Sequence, residues 1–276
     1  MIDYIYKEYE SVTSTNDVAK QLINEYCPEG TIIYTREQTD GRGRRGRAWQ
    51  DKKGETLATS LVLYPTLPQE YIPCITLVAA LSVRAAIKNF SSLECKIKWP
   101  NDVICSDKKI CGILTERIFV EGKSAVIVGI GVNVKNQEFP EELEDKATSI
   151  FNEVAAEKEE MRRVLGDDND ENYNSDVIRK LMEEDNNELL YLIWDRFNEY
   201  YDIFIKSGNM AGLVEEYNKC LINVGRVVKA TDPIEEINGV ALGINESGEL
   251  VISTGHGKKN VSSGEVTVRG LYSYTK

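Results

Sequence analysis

The stretch KKICGILTERIFVEGKSAVIVGIGVNV (residues 108–134) reads as two long strands around a turn at Glu121-Gly122-Lys123, which commits the chain to a sheet. TIIYTREQ (31–38) and TLATSLVLY (56–64) read as further strands, and CKIKW (95–99) as a short one stopped by Pro100. YIPCITLVAALSVRAAIKNF (71–90) reads as a long apolar helix central to the core. Ser14-Thr15-Asn16-Asp17 opens a helix over VAKQLINEY, with a hydroxyl at the N-cap and apolar residues at Val18, Leu22 and Ile23. Helical periodicity returns in 189–205 and 211–222, and from Asn223 short strands alternate with Gly, Asn and Ser turns. The expected architecture is α+β: a mixed sheet packed with helices over residues 1–222, then a small β-barrel over 223–276.

Charge and composition remove several classes. The 276 residues carry 45 acids against 33 bases, a net of -12, which argues against sequence-independent binding to phosphate backbones. Residues 153–188 alone hold 13 acids and 5 bases, so an acidic insertion at about 152–188 accounts for most of the excess and says little about a site elsewhere. The most apolar stretch, Ile75 to Val83, falls far short of the roughly 18 residues of a membrane span, and the N-terminus carries no signal-peptide pattern. No membrane and a cytoplasmic location are expected. The six cysteines form no C-x-x-C pair and read as buried free thiols. The single histidine, His256, lies in a turn of the small β-region with no G-x-S-x-G elbow anywhere, which excludes a Ser-His-Asp hydrolase.

Residues 40–49, DGRGRRGRAW, carry the letters of a dinucleotide-binding fingerprint but not its context. That motif needs a helix N-terminus after the glycines, and the sequence continues RAWQDKKGETLATS with no helical period. Gly122-Lys123-Ser124 ends like a Walker A loop, yet Arg117 stands where its first glycine belongs and a strand follows. An Arg-Gly RNA box belongs in a repeated, disordered tail, whereas this stretch occurs once between two strands. What remains is a cationic loop: glycines turn backbone N–H groups inward, and arginines offer forked donors to carboxylate or phosphate. Trp49 reads equally as a stacking plate for a purine or as an ordinary core residue.

S-T-N at 14–16, Q-T-D-G-R-G-R-R-G-R-A-W at 38–49, K-W-P-N-D at 98–102, K-I-C-G-I-L at 109–114 and G-I-G-V-N at 129–133 together resemble bacterial biotin–protein ligases. The likeness ends with Gly264 to Arg269 and spans nearly the whole chain. It implies a class II synthetase-like mixed sheet with a C-terminal SH3-like barrel. It also implies a two-step reaction: biotin and ATP give biotinyl-5′-AMP and pyrophosphate, and a lysine of a biotin carboxyl carrier domain then takes the biotinyl group. ATP and Mg2+ are the implied cofactors. By resemblance Lys109, Arg44 and Asp102 are catalytic candidates, with Asp102 either a magnesium ligand or the receiver of the acceptor lysine. Ser14, Thr15, Asn16, Gln38, Arg42, Gly43, Arg44 and Lys109 are expected at biotin, and Arg42, Arg47, Trp49, Asn133 and Arg269 at the adenylate. Thirteen residues ahead of Ser14 cannot hold the winged helix-turn-helix of repressor relatives, so no operator-specific DNA binding is expected. Homodimerisation and the role of the acidic insertion stay open. A non-catalytic biotin- or nucleotide-sensing module is the competing reading.

Overall fold

The computed structural model describes residues 1–165, 175–182, 185–231, 236–262 and 265–268. Its centre is a seven-stranded sheet built from β1 (Ile5–Tyr9), β2 (Thr31–Thr35), β3 (Thr56–Leu63), β4 (Lys96–Lys98), β5 (Asp102–Cys105), β6 (Lys108–Val120) and β7 (Lys123–Asn133). The strand order is β1-β2-β3-β7-β6-β5-β4. Only the β1–β2 pair is parallel, and the long β6–β7 hairpin closes on Val120 opposite Lys123. Alternation along the strands sorts the apolar side chains between two layers. Ile32, Leu61, Leu63, Val126 and Val128 enter the larger core, which includes α2 (Ile75–Ser91) and α5 (Asn187–Ser207). Ile33, Val62, Ala125 and Ile127 face the other way, onto Ala19 and Ile23 of α1 (Thr15–Asn24). All eight residues of β3 are buried, as befits a central strand covered on both faces.

The two long strands, the central helix and the short strand at 96–98 lie where the sequence puts them. Three strands escape the sequence reading: β1, β5, and β11 (Gly257–Val261). β5 starts at Asp102, directly after the turn that follows the cis Trp99–Pro100 bond. Ser14 stands at the N-cap of α1, but its hydroxyl makes no capping bond; the backbone carbonyl alone accepts from Asp17 and Val18. The described residues of the acidic region include α3 (Ile150–Leu165) and α4 (Ser175–Met182). Five of the six cysteines are buried, Cys27 partly so, and all are free.

The chain leaves the sheet through α6 (Val214–Cys220) and a crossing where Leu221 bridges to Ile97 and Val224 to Ala241. Beyond it lie β8 (Val227–Thr231), β9 (Glu236–Ile244), β10 (Leu250–Thr254), β11 and β12 (Glu265–Val268). They form one antiparallel ladder in the order β11-β10-β9-β8-β12. Among the described residues no β11–β12 pairing is present, and the antiparallel ladder is consistent with the expected C-terminal SH3-like unit. Trp99 ties it to the main sheet: its backbone N–H donates to Asn223 Oδ1 at 3.0 Å and its indole to Gly248 O at 3.0 Å.

Candidate active site

The glycine-arginine stretch folds as a small hairpin. Gly43 N–H donates to Arg47 O at 2.7 Å, Trp49 N–H to Gly41 O at 2.8 Å, and Arg42 pairs with Ala48 as an antiparallel bridge. Its tip turns through Arg45 (φ 58) and Gly46 (φ 72), both left-handed; glycine adopts this freely and arginine at some cost. Two contacts hold the hairpin over the sheet: Arg42 Nη2 lies 2.9 Å from Asp17 Oδ2 of α1, and Arg44 Nη1 donates to Asn101 Oδ1 at 2.9 Å.

Beneath it is a small cleft. The walls come from Ser14, Thr15, Asn16, Gln38, Arg42, Gly43, Arg44, Trp49 and Lys109, all anticipated from sequence, together with Asn101, Ile113, Leu114, Ile130 and three glycines. Gly112, Gly129 and Gly131 form a floor on which an added Cβ would crowd its neighbours. A Cβ on Gly131 would sit 2.5 Å from Trp49 Cε2, one on Gly112 2.9 Å from Trp49 Cζ3, and one on Gly129 2.2 Å from Asn16 Oδ1. Trp49 therefore lies on the glycine strands inside the cleft rather than in the core. Its Nε1–H is buried without a hydrogen-bond partner, and Lys109 Nζ stands 5.6 Å from the ring centroid. An indole donor left unsatisfied in a polar cleft suits a ligand acceptor.

On the α1 side a directional chain of hydrogen bonds sets the donors and acceptors. Asn16 Nδ2 donates to Glu116 Oε2 at 2.8 Å, so Asn16 Oδ1 must accept, and it does so from the Ser60 hydroxyl at 2.6 Å. Ser60 has one proton, so across its 2.7 Å contact with Thr15 Oγ1 it is the acceptor. Gln38 Oε1 accepts from Thr15 N–H at 2.9 Å, while the Thr15 hydroxyl lies 3.3 Å away. The result is a wall of hydroxyl and amide groups with fixed polarity, suited to a flat donor–acceptor ligand.

The opposite wall is cationic. Asp102 Oδ1 lies 2.7 Å from Lys109 Nζ and Oδ2 3.7 Å from Lys98 Nζ, and Asn101 Nδ2 donates to Oδ1 at 3.2 Å. Burial alone would raise the Asp102 pKa; Lys109, then Lys98 and Arg44, overcome this and hold it below the ordinary carboxylate range. Its oxygens are committed to ammonium groups, which does not suit a magnesium ligand. Among the described residues no cluster of three or more His, Cys, Asp or Glu forms a metal site.

Three expected residues stand apart from the cleft. Arg47 is exposed on the hairpin and does not line the cleft. Asn133 is buried, its Nδ2 donating to Thr148 O at 3.0 Å, which is a structural role in this conformation. Arg269 lies outside the described residues. Conversely, Asp17 and Asp51 were missed. Asp51 closes the base of the hairpin, its Oδ2 accepting from Gln38 N–H at 3.0 Å, and nothing in its local sequence announces that pairing.

Comparison with known proteins agrees with this geometry. Residues 8–133 match the Biotin/lipoate A/B protein ligase family, and residues 224–269 match the Biotin protein ligase C terminal domain. The Bifunctional ligase/repressor BirA of Bacillus subtilis is 32% identical over 261 residues, covering 94% of this chain and 72% of the relative. The Biotin--[acetyl-CoA-carboxylase] ligase of Mycobacterium tuberculosis is 26% identical over 243 residues, covering 86% of this chain and 79% of its own. Among solved structures, the biotin protein ligase of Aquifex aeolicus in complex with biotin and ATP is 29% identical with a TM-score of 0.72, covering 96% of this chain and 98% of that one. Motif order, cleft and likeness over nearly its full length agree: the chain belongs to the biotin protein ligase family.

Proposed function

We propose that the cleft under the glycine-arginine hairpin is where this chain, an ATP-dependent biotin–protein ligase, forms and uses biotinyl-5′-AMP. In the first step a biotin carboxylate oxygen attacks the α-phosphorus of ATP and pyrophosphate leaves. In the second, a lysine amine of a carrier domain attacks the acyl carbon, AMP leaves with the bonding electrons, and the amine loses a proton. The anionic reactants repel each other and charge builds on the phosphoryl oxygens, so preorganised cations are the chief requirement. Lys109 and Arg44 line the cleft together and supply them. The ureido end is assigned to the Thr15–Gln38 wall, with Ser14 and Asn16 beside it and backbone N–H groups near Gly43 completing the grip.

Asp102 is assigned to holding Lys109 in place rather than to magnesium, which would arrive on the triphosphate. Trp49 and Arg42 are assigned to the nucleotide side, and Asn133, Arg47 and Arg269 to it only after rearrangement. Residues 1–222 are proposed as the catalytic unit and 223–276 as the appended C-terminal unit. The acceptor class is the biotin carboxyl carrier domain on which this family acts; which carrier this chain modifies is a matter for labelling.

The observation that carries the reading is the placement of a hydroxyl–amide wall, a glycine floor and the Lys109–Arg44 pair around one cleft. Biotin-dependent exchange of pyrophosphate into ATP, followed by mass-spectrometric labelling of a carrier domain, tests it. Full exchange without any carrier labelling would leave the first step and remove the second; absence of both would remove the assignment.

A further inference from the structure

Ser60 is a polar residue on β3, the central strand covered on both faces, and it is fully buried. A hydroxyl there is costly unless it is hydrogen-bonded. Ser60 has two short contacts, Asn16 Oδ1 at 2.6 Å and Thr15 Oγ1 at 2.7 Å. It stands opposite Gly129 in the register of β3 and β7, and the missing Cβ of that glycine leaves the space Asn16 occupies. One proton cannot serve both contacts. Glu116 decides between them. Paired with Lys20 at 2.9 Å, its carboxylate can only accept, and it takes the Asn16 amide N–H at 2.8 Å. The Leu114 carbonyl, also an acceptor only, lies 3.4 Å from the same nitrogen. Asn16 Oδ1 is thereby turned to Ser60 and receives its proton. The Thr15 hydroxyl must then supply the proton of the 2.7 Å contact, because two bare oxygens at that distance would repel. Its alternative acceptor, Gln38 Oε1, is further off at 3.3 Å and already takes the Thr15 N–H.

We propose that Ser60 and Glu116 are positioning residues that set the selectivity of the cleft: they hold the Thr15 hydroxyl as an acceptor, so that it admits a ligand N–H and rejects a ligand oxygen at that point. Thr15 lines the cleft, whereas Ser60 and Glu116 do not, so both act on the ligand through it. With its proton given to Ser60, the Thr15 hydroxyl has only lone pairs to offer. A urea N–H satisfies them; a ring oxygen in its place would leave two acceptors face to face. Reversal of the relay requires Asn16 to flip, with its nitrogen towards Ser60 and its oxygen towards Glu116. The carboxylate forbids that. A glutamine at position 116 can instead turn its oxygen to Lys20 and its NH2 to Asn16. Asn16 then flips, Ser60 donates to Thr15, and the Thr15 hydroxyl is free to donate into the cleft.

The inference rests on the assignment of biotin's ureido end to this wall, and the test separates it from the ligase assignment. Initial rates of ATP–pyrophosphate exchange are measured for the wild type, Ser60→Ala and Glu116→Gln. The acids supplied are biotin and its two cyclic carbamate analogues, each with a ring oxygen in place of one urea N–H. For one of the two analogues the wild-type kcat/KM is expected to lie at least about 100-fold below that for biotin. In both variants that ratio is expected to narrow at least about tenfold, through a higher KM for biotin, with the KM for ATP within about threefold of wild type. An analogue too poor to be activated is measured as an inhibitor of exchange with biotin. A merely loosened fold would raise both KM values and leave the ratio where it was, which would overturn the proposal. Glu116→Gln, at a partly exposed position, carries the test if Ser60→Ala does not fold. A wild type that uses both analogues within about threefold of biotin would overturn the proposal and leave the ligase assignment standing. A wild type without biotin-dependent exchange would overturn that assignment and the proposal with it.

Discussion

Replacing Gly129 by alanine tests whether the floor of the cleft and the helix above it form one rigid unit. The new Cβ would lie 2.2 Å from Asn16 Oδ1, 2.9 Å from its Cγ and 3.0 Å from its Nδ2. Ordinary carbon–oxygen contact needs about 3.4 Å, so something must move by about 1 Å. Asn16 cannot swing aside cheaply, because Ser60 holds its oxygen at 2.6 Å and Glu116 its nitrogen at 2.8 Å. Either both hydrogen bonds break, one buried and one partly so, at about 1–3 kcal/mol each, or the start of α1 is pushed off the sheet at a similar overpacking cost. Alanine recovers about 0.5–1 kcal/mol through its smaller backbone entropy in a strand. The net loss is expected at about 2–4 kcal/mol in urea unfolding monitored by circular dichroism. Thr15 moves with Asn16, so the KM for biotin in the exchange assay should rise more than the KM for ATP. Gly112→Ala is the milder comparison: its Cβ would meet Trp49 Cζ3 at 2.9 Å and Lys109 Nζ and Cε at 3.0 and 3.1 Å, wider than the 2.2 Å contact at Gly129, and should cost about 1–2 kcal/mol. A Gly129→Ala protein within about 0.5 kcal/mol of wild type, or no worse than Gly112→Ala, would refute the rigid-unit argument.

Lys109→Gln is expected to lower the exchange rate by about 10²–10³, read as kcat at saturating biotin and ATP, since it removes a cation from the phosphoryl wall. The two carboxylates should show opposite pH behaviour in stability. The folded pKa of Asp51 is raised from 3.8 to about 6, so the native state holds its proton longer and stability falls as pH rises between those values; Asp51→Asn should therefore be the more stable protein at pH 7.5, by roughly 1–3 kcal/mol, and match wild type near pH 4. Asp102 is depressed, so its contribution is present at neutral pH and lost as pH falls through its folded value; Asp102→Asn should destabilise at pH 7.5 by about 3 kcal/mol in the same urea series, because Lys109 loses its carboxylate partner. Trypsin should cleave the hairpin tip at exposed Arg45 or Arg47 in the protein alone and slowly with biotin and ATP; unchanged cleavage would speak against closure over the adenylate.

Much of the site was legible because its residues come in short ordered runs. The strand alternation of 108–134 and the glycines within it located the floor, and the run at 38–49 located the roof. What escaped was of another kind. β1 and β11 are short edge strands whose residues are mostly exposed, so no apolar alternation marks them. β5 hides behind the Asn101-Asp102 turn signal. The glycine-arginine loop is hydrogen-bonded as a hairpin, and Asp17 and Asn101 restrain Arg42 and Arg44 from elements 25 and 57 residues away, contacts no local pattern encodes. Asn133 belongs to a family motif yet faces Thr148 here, so motif membership located the strand without settling what the side chain touches.

The same contrast explains how an acidic chain maintains a cationic cleft. Its excess charge is confined largely to 153–188, and the cleft holds Arg42, Arg44 and Lys109, with Asp17 close against Arg42 and Asp102 against Lys109. Each acid is paired with a cation that must later meet an anion, so each sets a side chain's position without cancelling the field entirely. Phosphate arriving on Arg42 competes with a half-exposed pair to Asp17, worth about 1 kcal/mol or less, and can displace it. Phosphate arriving on Lys109 meets a less exposed pair, 2.7 Å from Asp102, and must add to it rather than replace it. The hairpin arginines are thus the exchangeable cations and Lys109 the fixed one. Substituting Asp17 by asparagine should accordingly change how readily the hairpin is cut by trypsin while leaving kcat within about twofold, whereas the Asp102→Asn protein should lose kcat even at pH values where it remains folded.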